Sequence, residues 1–242
     1  MSEMPVHDLE WTDEVLERFW SFYGEKVHTY FAESYGAAIV RKLAPRIPEG
    51  SVCIDYGCGS GGLTAALLAA GYRVGAADFS PKSIDQVARR FAGHANFLGA
   101  WNIVGGAPER IPPADAVFSV ETIEHVTDRH IAAYFAAIAR LLKPDGSAIF
   151  TTPNNEDIEA AKVFCPESGA VFHPMQHVRS FDPACIEALL RSHGFAPTAT
   201  FVTDFALSFA RNPKTWLADK GKRALGMGAP PPHLVAIARP YP

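Results

Sequence analysis

Long apolar runs are missing from this 242-residue chain. None approaches the roughly 18 residues that span a bilayer, so a membrane-embedded protein is not expected. The opening Met-Ser-Glu-Met-Pro is polar and carries no signal-peptide core. Cysteine is scarce: the four, at 53, 58, 165 and 185, have no disulfide-scaffold spacing, which points to a reducing cytoplasm. Cys53 and Cys58 read as small packing residues. Strong charge is absent too. A net −4 does not advertise nucleic-acid binding. Internal repeats and low-complexity tracts are also lacking. What is present is a chain 48% hydrophobic, enough for one large core, and single α/β domains of this length are ordinary.

The most informative stretch is Val52-Cys53-Ile54-Asp55-Tyr56-Gly57-Cys58-Gly59-Ser60-Gly61-Gly62. A β-branched run ends in Asp55, glycines stand at 57, 59 and 61, and a helix is expected over about 62–70. Glycines at a strand-to-helix turn let the backbone approach a ligand and take up positive φ. Gly62 completes a G-x-G-x-x-G, a pattern that also serves dinucleotides. Asp55 decides between the two. A carboxylate just before the first glycine would repel a pyrophosphate seated on a helix N-terminus. The ammonium group of S-adenosylmethionine, by contrast, can be held there by a charge-assisted hydrogen bond. A second strand is expected to end in Asp78, and an acid at about that distance accepts ribose hydroxyls. Ser80-Pro81 then reads as an N-cap followed by a first-turn proline. The plainer reading, that both acids only cap turns, leaves the order strand, acid, glycines, helix, strand, acid unexplained.

In that order of elements the chain resembles the class I S-adenosylmethionine-dependent methyltransferases, over roughly residues 45–240. Its Leu-Leu-Lys-Pro-Asp-Gly and Thr-Thr-Pro-Asn stretches resemble the small-molecule branch. The resemblance implies an α/β fold: a doubly wound, mostly parallel seven-stranded Rossmann-like sheet with helices on both faces and an antiparallel last strand. Strands are expected at Ala95–Trp101, Ala114–Val120, Ser147–Thr152, Thr198–Asp204 and Leu234–Ala238, and helices at Asp128–Leu142 and Pro183–Ser192. Residues 143–146 are expected as a turn. The domain organisation is an N-terminal helical cap over 1–45 and a cofactor-binding domain over 46–242. That domain carries an insertion at 153–181 and a basic loop at 211–233. The cap is expected as two aromatic-rich helices that either cover the site or pack on the sheet. Implied cofactor contacts are Asp55, Gly57, Cys58, Gly59, Gly61, Asp78, Phe79 and Val120. The acid that often follows the family's third strand is missing, so Trp101 stacking and an Asn102 contact stand in for it at the adenine.

A second constellation closes the fourth strand: Glu121-Thr122-Ile123-Glu124-His125. If a helical turn begins there, Glu121, Glu124 and His125 share a face, and their mixed oxygen and nitrogen donors suit Mg²⁺, Mn²⁺ or Zn²⁺. The pattern resembles that of the ubiquinone-biosynthesis O-methyltransferases and the small-RNA 3′-end 2′-O-methyltransferases, which use the matching positions for a metal. The alternative is ordinary turn acids beside a packed histidine. In the insertion, Cys165, Ser168, His173 and His177 look like a zinc knuckle whose second cysteine is serine, a poor ligand. The resemblance to the RNA-modifying group makes His177 the expected fourth ligand and His173 the next. Pro174 should place the pair on an extended turn rather than a helix.

The expected reaction is O-methylation of a small-molecule hydroxyl, with one divalent metal as Lewis acid or with His125 or His177 as general base. Glu124 is counted with these two histidines as catalytic. An RNA 3′ end is the rival acceptor, favoured by Arg211, Lys214, Lys220, Lys222 and Arg223 against Asp219 and opposed by the net charge. An NAD(P)-dependent oxidoreductase is the rival of a different class, opposed by Asp55 and by the lack of a Tyr-x-x-x-Lys pair. A non-catalytic cofactor-binding subunit is the third alternative. The ubiquinone-type N-terminal signature is absent, which argues against that substrate.

Overall fold

The computed structural model describes residues 5–24, 26, 30–104, 110–206 and 230–241. Strand β1 (His7–Asp8) and helices α1 (Asp13–Tyr23) and α2 (Phe31–Leu43) come first. Alternation then sets in with β2 (Val52–Tyr56), α3 (Gly62–Ala69), β3 (Arg73–Asp78), α4 (Pro81–Arg90) and β4 (Phe97–Asn102). It continues with β5 (Ala114–Val120), α5 (Asp128–Leu141) and β6 (Leu142–Pro153). The insertion holds α6 (Ile158–Ala161), β7 (Val163–Phe164) and β8 (Ala170–Phe172), and α7 (Pro183–Ser192), β9 (Phe195–Thr203) and β10 (His233–Pro240) follow.

Strands that are apolar throughout must be covered on both faces, and β2 is buried at every position. It pairs in parallel with β3 and β5, which pair in turn with β4 and β6. Strand β10 runs antiparallel to β6 and β9, giving the order β4-β3-β2-β5-β6-β10-β9. One face packs Phe135, Ile138, Phe150 and Phe195. The other packs Ile39, Leu43, Leu63, Leu67 and Phe118, so α2 is part of the main core. The caps follow the sequence. Ser80 accepts the Ser83 N–H before Pro81, and Asp182 accepts the Cys185 N–H before Pro183.

Ala114–Val120 and Pro183–Ser192 fall where the pattern places them. Elsewhere the boundaries move. The third parallel strand of the sheet starts at Phe97 rather than Ala95, and β9 starts at Phe195 rather than Thr198. Residues 143–146 are a bulge inside β6, whose register against β5 jumps from Ala114↔Leu142 to Ala116↔Ser147. The insertion is not plain loop. Strand β8 pairs with β1 and β7, tying the N-terminal segment to it. The expected basic cluster, Arg211, Lys214, Lys220, Lys222 and Arg223, lies outside the described residues. Among the described residues, no helix is long and apolar enough to cross a membrane.

Trp101 is a correction. Its indole is buried in the core, filling the space left by Gly75 and Gly99, and does not present a face for an adenine. A Cβ at Gly75 would lie 2.5 Å from the Trp101 ring and 2.7 Å from Ile54. Gly75→Ala should therefore destabilise by about 1–3 kcal/mol through overpacking, lowering Tm by roughly 2–4 °C per kcal/mol. Thermal unfolding checks this; an unchanged Tm contradicts the core placement of Trp101.

Candidate functional site

Parallel strands deliver their C-terminal ends to one edge of the sheet, where ligands of open α/β sheets sit. The glycine loop leaves β2 there with φ of 83° at Gly57, 50° at Gly59 and 86° at Gly61. Gly61 occupies the N-cap of α3 in the left-handed region. The loop is pressed from both sides: a Cβ would lie 2.6 Å from the Thr122 hydroxyl at Gly57, and 2.6 Å from the Tyr30 ring at Gly59. The N–H groups of Gly57 and Cys58 donate to the Ala77 carbonyl. Asp78 accepts the Gly59 N–H at 2.9 Å and the Ser80 N–H at 2.8 Å. Burial raises the Asp78 carboxyl and these bonds oppose the rise.

Asp55 lies beneath the loop. Burial pushes its carboxyl up to about 7 against the Thr64 hydrogen bonds. Thr64 Oγ1 donates to it at 2.7 Å, so its partner is a hydroxyl and not a cation. A buried acid of this kind, under a glycine cradle, fits the ammonium of S-adenosylmethionine. Val120 is buried at the end of β5, and Phe79 is exposed. Asn102 is engaged locally, donating to the Phe79 carbonyl and accepting the Val104 N–H. Glu33 escaped the sequence reading. It accepts from Ser60 Oγ at 2.7 Å and Arg90 Nη1 at 2.5 Å, so α2 fastens the glycine loop to α4. Only its place in the first turn of a helix marked it.

The acidic pattern after β5 forms a short 3₁₀ turn, Ile123–His125. Glu121 stands before it at φ 47°. That turn of the backbone separates it from the others: Glu121 accepts from Thr151 Oγ1 at 2.8 Å and lies 3.8 Å from His233. Glu124, His125 and His177 do converge, each offering a donor atom within 4.8 Å of the others. Glu124 is fully buried and neither carboxylate oxygen has a hydrogen-bond partner. Burial raises its carboxyl well above the usual range, and the Glu121 charge adds to this. Burial lowers His125 to about 3, helped by the His177 charge.

The insertion brings two histidines to this turn. Gln176 is wholly buried at φ 60°, and its side chain donates to the His125 carbonyl and accepts from Trp20 Nε1. The Val178 N–H donates to the Glu124 carbonyl. His173 and His177 stack with centroids 4.3 Å apart on an irregular turn around Pro174. A second trio, Glu156, His173 and His177, also gathers its donor atoms within 4.8 Å. Sequence reasoning missed Glu156 because a lone loop acid has no periodic context. Burial opposes the ionised form of Glu156, but the His177 hydrogen bond and the two imidazoles hold its carboxyl low. Cys165 joins neither trio, and its partner Ser168 closes the β7–β8 turn. The aromatics of α1 cover this group: the Trp20 ring meets the His125 ring edge-on at 4.8 Å.

The methyltransferase domain family model matches residues 23–200. The chain belongs to this family. Its sheet is that of the class I methyltransferases. Among curated proteins, the chain is 33% identical over 131 residues to the ubiquinone biosynthesis O-methyltransferase of Cereibacter sphaeroides, covering 52% of this chain and 51% of that one. It is 30% identical over 166 residues to the dimethylglycine N-methyltransferase of Parasynechococcus marenigrum, covering 62% and 58%. The chain thus spans about half the length of the curated relatives it matches. In fold it is similar to the Burkholderia thailandensis 1,6-didemethyltoxoflavin-N1-methyltransferase, solved with its substrate and S-adenosylhomocysteine. The TM-score is 0.61 at 20% identity, over 98% of this chain and 94% of that one.

In this member of the family, Gly59→Ala adds backbone strain of about 1–3 kcal/mol and drives a methyl group into Tyr30. S-adenosylhomocysteine affinity should fall at least about tenfold, which is 1.4 kcal/mol. Gly71→Ala, also at positive φ but with open space around it, should leave affinity unchanged. Calorimetry on both variants decides; equal behaviour contradicts the cradle.

Proposed function

We propose that this methyltransferase transfers a methyl group from S-adenosylmethionine to a hydroxyl of a small molecule, assisted by one divalent cation at Glu124, His125 and His177. The observation that carries the cation is the buried Glu124 carboxylate, unpartnered, with two imidazoles beside it. The donor set, one oxygen and two nitrogens, suits Zn²⁺ or Mn²⁺ and admits Mg²⁺. The hydroxyl acceptor is supported by the O-methyltransferases among the relatives. An amine is the competing acceptor, on the named activity of the N-methyltransferases.

S-adenosylmethionine supplies a methyl already activated on a sulfonium, so transfer needs alignment and a deprotonated acceptor. A cation at Glu124 would supply Lewis acidity that makes an acceptor hydroxyl more acidic. Asp55 meets the ammonium group, and Asp78, at the end of β3 beside the glycine loop, meets the ribose hydroxyls. Trp20 and Tyr30, from the N-terminal segment, exclude water above the histidines and the glycine loop. If no cation binds, His177 takes the acceptor proton, since His125, lowered to about 3, holds a proton too weakly.

Activity should vanish in chelator and return with Mn²⁺ or Zn²⁺, and Glu124→Ala should lower kcat by at least about 100-fold, or 2.7 kcal/mol. Full activity in chelator together with a neutral Glu124→Ala overturns the cation. A second expectation follows from Asp55. Its carboxyl, raised to about 7, must lose a proton before it can meet the ammonium. S-adenosylhomocysteine affinity should therefore fall about tenfold from pH 8 to pH 6, and Asp55→Asn should flatten the profile. An affinity independent of pH in the wild type contradicts this role.

A further inference from the structure

His173 has a settled protonation pattern. Its Nδ1 accepts the backbone N–H of Met175 at 3.3 Å and of His177 at 3.2 Å, so that nitrogen carries no proton. The proton of the neutral ring then sits on Nε2, which lies 3.3 Å from Glu156 Oε1. The other oxygen of Glu156 lies 2.5 Å from His177 Nδ1. A carboxylate between two imidazoles accepts from both, so His177 bears its proton on Nδ1. Its remaining nitrogen, Nε2, then holds the free lone pair. The ring is also trapped, stacked on His173 and edge-on to His125 with centroids 4.8 Å apart.

We propose that Glu156 is the positioning residue of this site: it accepts a hydrogen bond from the Nδ1–H of His177 and so commits Nε2 to the cation or the acceptor hydroxyl. His173 is then a strut that fixes Glu156, not a ligand, since both of its nitrogens are already engaged. On this proposal His173 does not ligate, although the sequence expectation had it as the next ligand after His177. The proposal rests on His177 working in the site as described above. Buttressing of this kind, carboxylate to histidine to reacting centre, sets the ring orientation and raises its basicity.

Imidazole ¹⁵N spectra of the labelled, folded protein test it directly. The wild type should show His177 protonated at Nδ1 and His173 protonated at Nε2. In Glu156→Gln, His177 should lose its single tautomer, and Mn²⁺ affinity by calorimetry should drop about 10–100-fold. S-adenosylhomocysteine affinity should hold, and Glu156→Asp should recover the wild-type tautomer. A wild-type His177 protonated at Nε2 overturns the proposal, and needs no variant to read. So does a Glu156→Gln protein with unchanged tautomer and unchanged Mn²⁺ affinity. A wild type that binds no Mn²⁺ yet keeps the Nδ1 proton on His177 overturns the cation reading alone and supports the role of Glu156.

Discussion

Taking a carboxylate out of water costs several kcal/mol unless a cation or hydrogen-bond donors meet it. Glu124 is 1% exposed, and neither of its oxygens has a partner at good hydrogen-bond geometry, with the Thr152 hydroxyl and His125 Nε2, at 3.9 Å, as its nearest polar neighbours. Burial offsets part of that cost by holding the Glu124 carboxyl well above its ordinary range, which favours the neutral form. The Val178 N–H and the Gln176 amide reach this turn but bond to the backbone carbonyls of Glu124 and His125. The side chain is left facing His125 and His177. A protein that only needed a stable turn here would gain by burying an apolar residue instead. The buried acid is the group on which the proposed cation site rests.

Everything around it is placed by the sheet. Parallel pairing of β2 with β3 and β5 sets the glycine loop, Asp78 and the Glu124 turn side by side at one edge. Tyr30 over Gly59 and Thr122 against Gly57 link the cofactor cradle to the two segments that flank it. The insertion reaches the Glu124 turn through Gln176, whose side chain also holds Trp20 of α1. The β1–β8 ladder adds a second tie between the N-terminal segment and the insertion. Glycine loop, histidine group and N-terminal segment are therefore joined by direct contacts.

The cradle was legible in the sequence because its chemistry is local. Asp55, the glycines and Asp78 each lie at a strand end or in its turn, and the β-branched run before Asp55 and the Ser80-Pro81 cap marked them. The exact limits of β5 and α7 came from the same local signals. The histidine group was legible only in part. Glu121 carried a helical spacing with Glu124, yet positive φ at Glu121 turned it toward Thr151. Glu156 had no pattern at all, since its meaning depends on His173 and His177, far along the chain and brought near by a turn. Strands of two or three residues such as β1 and β7 are too short to show a period of two. Trp101 looked like a cofactor platform because nothing in its own neighbourhood showed that Gly75 and Gly99 leave room for an indole in the core.

If Glu124 is buried to receive a cation, Mn²⁺ binds there beside the two imidazoles. Crystals grown with S-adenosylhomocysteine and soaked in Mn²⁺ test it most directly, through anomalous scattering. One strong peak bonded to Glu124, His125 and His177 is the expected result. A map with the nucleoside clearly bound and no anomalous peak at that trio would contradict it.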